Sequence, residues 1–180
     1  MSAASLPASA PSGPRLRAVG ITKTYGGTTA LRDVDFEVHR GEVNVLIGEN
    51  GAGKSTLMRI LATVTRPTHG TITWEGTGGR QPAGGERPID IVQQPNGIRQ
   101  VLGYLPQDFG VYPNLNPVEF LQYVAALKGL SGRAARQRID ALLRQLNLYD
   151  VRRRPLGGFS GGMKQRVGIA QALLNDPRLL

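Results

Sequence analysis

The stretch at residues 48–55 places the strongest constraint on what this chain can fold into. It matches G-x-x-x-x-G-K-[ST] completely, follows a short apolar run at residues 42–47, and precedes a helix-like segment at residues 55–62. Glycines let the backbone wrap a phosphate with its N–H groups pointing inward, and a helix N-terminus adds the positive end of its dipole. The pattern therefore predicts a strand buried on both faces, a phosphate-binding loop and a helix. An ordinary glycine-rich turn is the alternative, which the complete match and its context disfavour.

Two side chains of this loop have a direct chemical role. Lys54 can reach the β- and γ-phosphates of a nucleotide, and the hydroxyl of Ser55 can ligate Mg²⁺. Glu49 would repel phosphates if it pointed inward, so we expect it to face away. The predicted nucleotide-binding residues of the loop are Gly48, Glu49, Asn50, Gly51, Ala52, Gly53, Lys54, Ser55 and Thr56.

The rest of the chain predicts a mixture of strands and helices. Alternating or apolar runs indicate strands at residues 16–21, 34–38, 71–75 and 101–105, with a loop at residues 76–97 around a possible short strand at 89–92. Asn116, Pro117 and Glu119 form a capping-box pattern for a helix with an apolar side of Phe120, Leu121, Val124 and Leu127, ended by Gly129. Ser131 is a candidate cap for the next helix, whose stripe is Ile139, Leu142, Leu143 and Leu146.

A Ser-Gly-Gly turn opens the last predicted helix, at about residues 162–174. Ser160 can cap that helix, while Gly161 and Gly162 allow an anion to approach the backbone closely. Taken alone, this pattern is as compatible with a plain capped helix as with a ligand site. Its occurrence together with the phosphate-binding loop makes the ligand site the stronger interpretation.

With both motifs in place, the chain resembles the nucleotide-binding domain of ABC transporters. The resemblance covers residues 15–180: residues 48–56 resemble the Walker A motif and residues 159–163 the signature sequence, with Phe159 and Met163 departing from the commonest residues. It implies an α/β fold of the P-loop NTPase (ABC) type, with an N-terminal antiparallel β portion and a helical subdomain at about residues 111–165. Residues 1–14, rich in Ala, Ser and Pro, are expected to be a disordered tail.

The resemblance also implies roles for residues outside the loop. Tyr25 lies where the family has an aromatic residue that stacks on adenine, and Gln107 where a glutamine touches Mg²⁺ and the attacking water. Ser160, Gly161 and Gly162 would cover the ATP of a second subunit in a head-to-tail dimer. The implied catalytic residues are Lys54 and Gln107, the metal ligands Ser55 and Gln107, and the cofactors ATP and Mg²⁺.

The family order places a Walker B strand, a catalytic Glu and a switch His after residues 175–180, and residues 1–180 hold no counterpart of them. His39 and His69 precede the signature and cannot be the switch His, and Asp176 before Pro177 is expected to be structural. We therefore expect ATP binding, but no catalysis by these residues alone.

Composition limits the possible partners only weakly. The net charge is +9, cysteine is absent, and no apolar run approaches the roughly 20 residues that span a bilayer. The resemblance implies an ATP-binding subunit that is cytoplasmic and peripheral at the inner face of the cell membrane. It would work with a separate transmembrane permease and without nucleic acid, and export is the expected direction of transport. The alternatives are a non-transport ABC ATPase acting on ribosomes or DNA, which the charge favours mildly, and a non-catalytic nucleotide-binding fragment.

Overall fold

The computed structural model describes residues 15–75, 88–107, 110 and 112–180. It divides into two compact units, the first ending at Pro95 and the second beginning at Asn96. The predicted tail at residues 1–14 and most of the predicted loop at 76–97 lie outside the described residues. The predicted helical subdomain at 111–165 is a subdivision of the second unit and stays a prediction.

The first unit is built on a four-stranded antiparallel sheet in the order β2-β1-β3-β4. The strands are β1 (Leu16–Tyr25), β2 (Thr28–Val38), β3 (His69–Trp74) and β4 (Ile89–Asp90). Gly26 and Gly27 join the first two at φ 50° and 93°, as a two-residue hairpin turn requires. Alternation buries Leu16 and Ala18 along β1 and Ile72 and Trp74 along β3, and Ile21 is buried after a register shift in β1. The N-terminal antiparallel β portion is confirmed.

The predicted helix after the loop is α1 (Lys54–Leu61), which buries Leu57, Ile60 and Leu61. The predicted buried strand before the loop is wrong for this structure. Residues 42–49 have no regular secondary structure, and Val43, Val45 and Ile47 are 91%, 72% and 90% exposed. A buried parallel strand needs a hydrogen-bonded neighbour on each side and cover on both faces. The described residues provide no such neighbour for this segment.

The second unit is mainly helical. Its helices are α2 (Asn96–Arg99), α3 (Pro117–Leu127), α4 (Gly132–Gln145) and α5 (Gly161–Leu173), with a short 3₁₀ turn at Leu156–Gly158. The capping box of α3 is confirmed: Asn116 Oδ1 accepts from the N–H groups of Val118 and Glu119 at 3.0 and 3.1 Å, and Glu119 Oε2 accepts from the Asn116 N–H at 2.9 Å. Gly129, at φ 73°, follows the end of α3 as predicted. Ser131 precedes α4, but its side chain makes no cap hydrogen bond.

One apolar core joins three helices of this unit. Each of its central side chains is 3% exposed or less. They are Phe120, Leu121 and Ala125 from α3, Ile139, Leu142 and Leu143 from α4, and Val167, Ala170 and Leu174 at α5. The predicted stripes are largely confirmed. Leu127 is the exception, because it is 70% exposed at the end of α3.

The predicted strand at residues 101–105 is reduced to a single parallel bridge between Leu102 and Leu179. Gly103 N–H donates to Leu179 O at 2.8 Å, and Arg178 N–H donates to Val101 O at 2.7 Å. Leu179 N–H also donates to Val101 O at 3.2 Å, and a strand cannot extend beyond these bonds without further pairing partners.

Side chains brace the turn that precedes this bridge. Asn175 Nδ2 donates to Gln100 O at 2.7 Å, and Lys128 Nζ donates to Asn175 Oδ1 at 3.0 Å. Burial lowers the pKa of Lys128, because a partly desolvated ammonium is less stable. Asp176 adopts φ 51° and accepts from Arg138 Nη2 at 3.2 Å, which agrees with a structural role. None of the described helices has the length and apolar character that a membrane crossing requires.

Candidate functional site

The glycine-rich loop before α1 is shaped by two left-handed residues. Gly51 and Gly53 have φ values of 88° and 84°, a region that side chains with a Cβ rarely adopt. At Gly53 a Cβ would also lie 2.6 Å from both Ala30 O and Leu31 Cδ2 of β2. The loop is therefore packed against a strand of the sheet at a point where only glycine fits.

The loop leads directly into a helix N-terminus that no side chain caps. Gly53 is the N-cap residue, and the first intrahelical bond runs from Leu57 N–H to Gly53 O at 2.9 Å. The N–H groups of Lys54, Ser55 and Thr56 come before it, so they have no acceptor within the helix. Unsatisfied N–H groups at the positive end of a helix dipole favour an anion.

Lys54 places its positive charge inside this loop. Its Nζ donates to Gly48 O and to Glu49 O, each at 2.6 Å. An ammonium has three donors, so one remains for a phosphate oxygen. Glu49 contributes its carbonyl to this contact rather than its carboxylate. Ser55 is exposed, so its hydroxyl is accessible to a metal ion bound with a phosphate. These residues fit a bound triphosphate with its Mg²⁺.

Tyr25 lies at the end of β1, on the same hairpin that supports the loop. Its side chain is 48% exposed, and it pairs with Thr28 across the turn. Ala30, which contacts the Gly53 position, follows Thr28 by two residues, or about 7 Å along a strand. The hairpin thus holds both the aromatic ring and the phosphate-binding loop. Lys23 Nζ lies 4.9 Å from the centroid of the Tyr25 ring.

The other predicted site residues belong to the second unit. Ser160 is the N-cap of α5, and its Oγ accepts from Met163 N–H at 3.3 Å, as predicted. A Cβ on Gly161 or Gly162 would meet nothing within 4 Å, and neither glycine has a positive φ. The fold of the unit therefore does not itself demand glycine at these positions. Gln107 is exposed and follows Pro106.

Sequence reasoning missed the residues that support the site. Lys23 was not singled out, although a residue two positions before Tyr25 on a strand shares its face. The contact of Ala30 and Leu31 with Gly53 joins distant parts of the chain and leaves no local pattern. Within the described part of the chain, no group of three or more His, Cys, Asp or Glu residues could hold a metal ion.

A glycine loop with left-handed residues, followed by Lys-Ser at the start of a helix, defines the P-loop class of nucleotide-binding folds. Within that class, the family described as ABC transporter matches residues 31–180 of this chain. The chain belongs to the ABC transporter ATP-binding family, whose members bind ATP.

Curated relatives agree with this assignment. The chain is 38% identical over 160 residues to an ABC transporter ATP-binding protein, YxlF, of Bacillus subtilis, covering 89% of this chain and 48% of the relative. It is 39% identical over 162 residues to the doxorubicin resistance ATP-binding protein DrrA of Mycobacterium tuberculosis, covering 89% and 45%. The chain spans about half the length of the curated relatives it matches.

Solved structures agree on the fold. An ATP-binding subunit of an ABC transporter superimposes with a TM-score of 0.73 at 32% identity, covering 90% of this chain and 62% of that one. A dimeric bacterial ABC transporter cassette superimposes with a TM-score of 0.74 at 27% identity, covering 90% and 70%. The predicted P-loop fold of the ABC type is confirmed.

Proposed function

We propose that this chain is the ATP-binding part of an ABC transporter and that it binds ATP with Mg²⁺ at residues 48–56. The loop geometry carries the proposal: Gly53 fits only as glycine, α1 begins without a side-chain cap, and Lys54 Nζ sits on two loop carbonyls. Lys54 binds the β- and γ-phosphates, the loop N–H groups bind the phosphate oxygens, and Ser55 ligates Mg²⁺. Tyr25 stacks on adenine.

The second unit supplies the remaining roles. From the family resemblance, we assign Gln107 to Mg²⁺ binding and to orienting the attacking water. Ser160, Gly161 and Gly162 cover the ATP of a second copy in a head-to-tail dimer. The fold itself would tolerate a side chain at both glycines, because a Cβ has open space there and their φ values are ordinary. A ligand that approaches the backbone from outside is therefore a reason for glycine at these positions. The similarity to a dimeric cassette supports the dimer.

We assign the chain to transport, with export as the direction, in partnership with a separate transmembrane permease at the inner face of the cell membrane. The relatives named for drug resistance support export. When the ATP-binding domain is complete and dimeric, hydrolysis would drive the transport step. Nucleic acid has no place in this function.

Calorimetry of the 180-residue chain with ATP and Mg²⁺ tests the binding site. Lys54→Ala should weaken ATP binding by about 1.5–3 kcal/mol, the range of hydrogen bonds to charged groups. Arg59→Ala is the matched control, because it removes one exposed positive charge from the same helix. Equal affinities of Lys54→Ala and the unchanged chain would refute the site.

A polypeptide of these 180 residues alone should bind ATP without turning it over. Hydrolysis needs a residue that activates water, and by the family order its carboxylate follows residue 180. A phosphate-release assay checks this expectation. Turnover that disappears in Lys54→Ala would contradict it.

A further inference from the structure

We infer that Lys23 is a positioning residue of the nucleotide site, which orients the ring of Tyr25 so that one face remains for the base. The inference rests on the proposed binding of ATP by this chain. Lys23 and Tyr25 are two residues apart on β1 and therefore project from the same face of the strand. The Lys23 ammonium lies 4.9 Å from the centroid of the Tyr25 ring, within the range of a cation–π contact.

Lys23 is itself fixed by a second contact. Its Nζ donates a hydrogen bond to Arg66 O at 2.8 Å. The segment of Arg66 follows α1, and two more bonds tie it to β1: Thr24 N–H donates to Thr68 Oγ1 at 3.1 Å and Thr68 N–H to Thr22 O at 2.8 Å. The ammonium is thus held between the chain that leaves α1 and the aromatic ring at the end of β1.

This arrangement determines how the ring can be used. Tyr25 is half-exposed, and an ammonium on one face of its ring blocks that face to a flat ligand, so a base can stack only on the opposite face. The cation also draws electron density towards itself, which makes the opposite face more attractive to an electron-rich base. A base would therefore stack on the face of Tyr25 that is turned away from Lys23.

Lys23 also connects the Tyr25 ring to the polypeptide that carries the phosphate-binding loop and α1. The phosphate-binding loop opens α1, and the chain that leaves α1 carries the carbonyl that anchors Lys23. β2 returns from Tyr25 to pack on Gly53. Lys23 therefore links the ring to the chain that leaves the helix whose N-terminus would bind the phosphates.

The test compares ATP with inorganic tripolyphosphate, which has no base, as ligands of the 180-residue chain in calorimetry with Mg²⁺. Lys23→Met keeps an unbranched side chain but loses the charge, and it should raise the Kd for ATP about two- to five-fold, the range of an exposed cation–π contact. The Kd for tripolyphosphate should not change. Lys23→Arg should keep the affinity for ATP, and Arg32→Met is the control for the loss of one exposed charge on the neighbouring strand.

A double-substitution cycle gives the second readout. In a Tyr25→Ala chain, Lys23→Met should have no further effect on ATP binding, because the ring that it positions is absent. Lys23→Gln gives the same comparison if Lys23→Met does not fold. The inference would be overturned if Lys23→Met left the Kd for ATP unchanged, or if it weakened tripolyphosphate binding equally. It would also be overturned if Arg32→Met weakened ATP binding as much, or if the effects of Lys23→Met and Tyr25→Ala were additive.

The Lys54→Ala chain separates this failure from that of the proposed function. If Lys54→Ala weakens both ligands while Lys23→Met changes neither, the phosphate site stands and the role of Lys23 is refuted. If Lys54→Ala changes neither ligand, the proposed function itself fails.

Discussion

The segment before the phosphate-binding loop and the helices of the second unit are both apolar and well patterned, yet only the helices form as predicted. Val43, Val45 and Ile47 are 72–91% exposed, whereas Leu121, Leu142 and Leu143 are exposed by 1% or less. A helix satisfies its backbone within itself and needs only one covered face. A buried parallel strand needs neighbours on both sides, which the described residues do not provide. The comparison shows that an apolar run forms a strand only where pairing partners are present, as they are for β1, β2 and β3, whereas a helix satisfies its backbone locally.

The largest expected effect lies in the helical core. Leu142→Ala should lower the free energy of unfolding by about 2–5 kcal/mol, because it removes a fully buried side chain and leaves a cavity. Val45→Ala, at a residue that is 72% exposed, should stay within about 0.5 kcal/mol. Urea unfolding followed by circular dichroism measures both. A cost at Val45 comparable to that at Leu142 would show that the segment before the loop is packed in solution, and the comparison would fail.

Glycine is required by the fold at Gly53 of the phosphate-binding loop, but not at Gly162 at the start of α5. Gly53→Ala should cost about 1–3 kcal/mol, because its backbone is left-handed and the new Cβ would meet Ala30 O at 2.6 Å. Gly162→Ala has open space at the start of α5 and should leave stability unchanged or raise it by up to about 1 kcal/mol. Thermal unfolding of both variants checks this difference. Equal destabilisation by the two substitutions would mean that the fold, rather than a ligand, requires glycine at 162.

The caps of the second unit should give the smallest of these stability effects. Asn116→Ala removes two cap hydrogen bonds and should cost about 0.5–2 kcal/mol. Ser131→Ala is the matched control, because Ser131 precedes α4 without a cap hydrogen bond and should change stability by a few tenths of a kcal/mol. Urea unfolding curves of the two variants make the comparison. A larger loss at Ser131 than at Asn116 would contradict the assignment of the caps.

The sequence predicted the features that depend on neighbouring residues. The capping box at Asn116 and Glu119 and the helix end at Gly129 are local patterns, and the structure contains both. The predicted strands at residues 34–38 and 71–75 also formed, because both pair with the strand at 16–21. The strand at residues 101–105 did not, because its pairing among the described residues is limited to the bridge between Leu102 and Leu179.

The candidate site likewise contains one local feature and one that depends on distant residues. Its loop could be predicted from a contiguous motif whose glycines and lysine sit next to each other. The hydrogen bond of Lys23 to Arg66 O could not, because Arg66 is 43 positions away in the sequence. The roles of Tyr25, Gln107 and the signature residues stay predictions.

The central claim is that the loop before α1 binds ATP even though the segment preceding it forms no strand. Hydrogen–deuterium exchange with and without ATP and Mg²⁺ tests it most directly, because phosphate oxygens would accept from the loop and helix N–H groups. ATP should slow exchange in a peptide covering residues 48–57, should not change exchange in the α4 peptide at residues 132–145, and should protect residues 48–57 clearly less in Lys54→Ala at the same ATP concentration. Unchanged exchange at residues 48–57 under saturating ATP, or equal protection in Lys54→Ala, would contradict the claim.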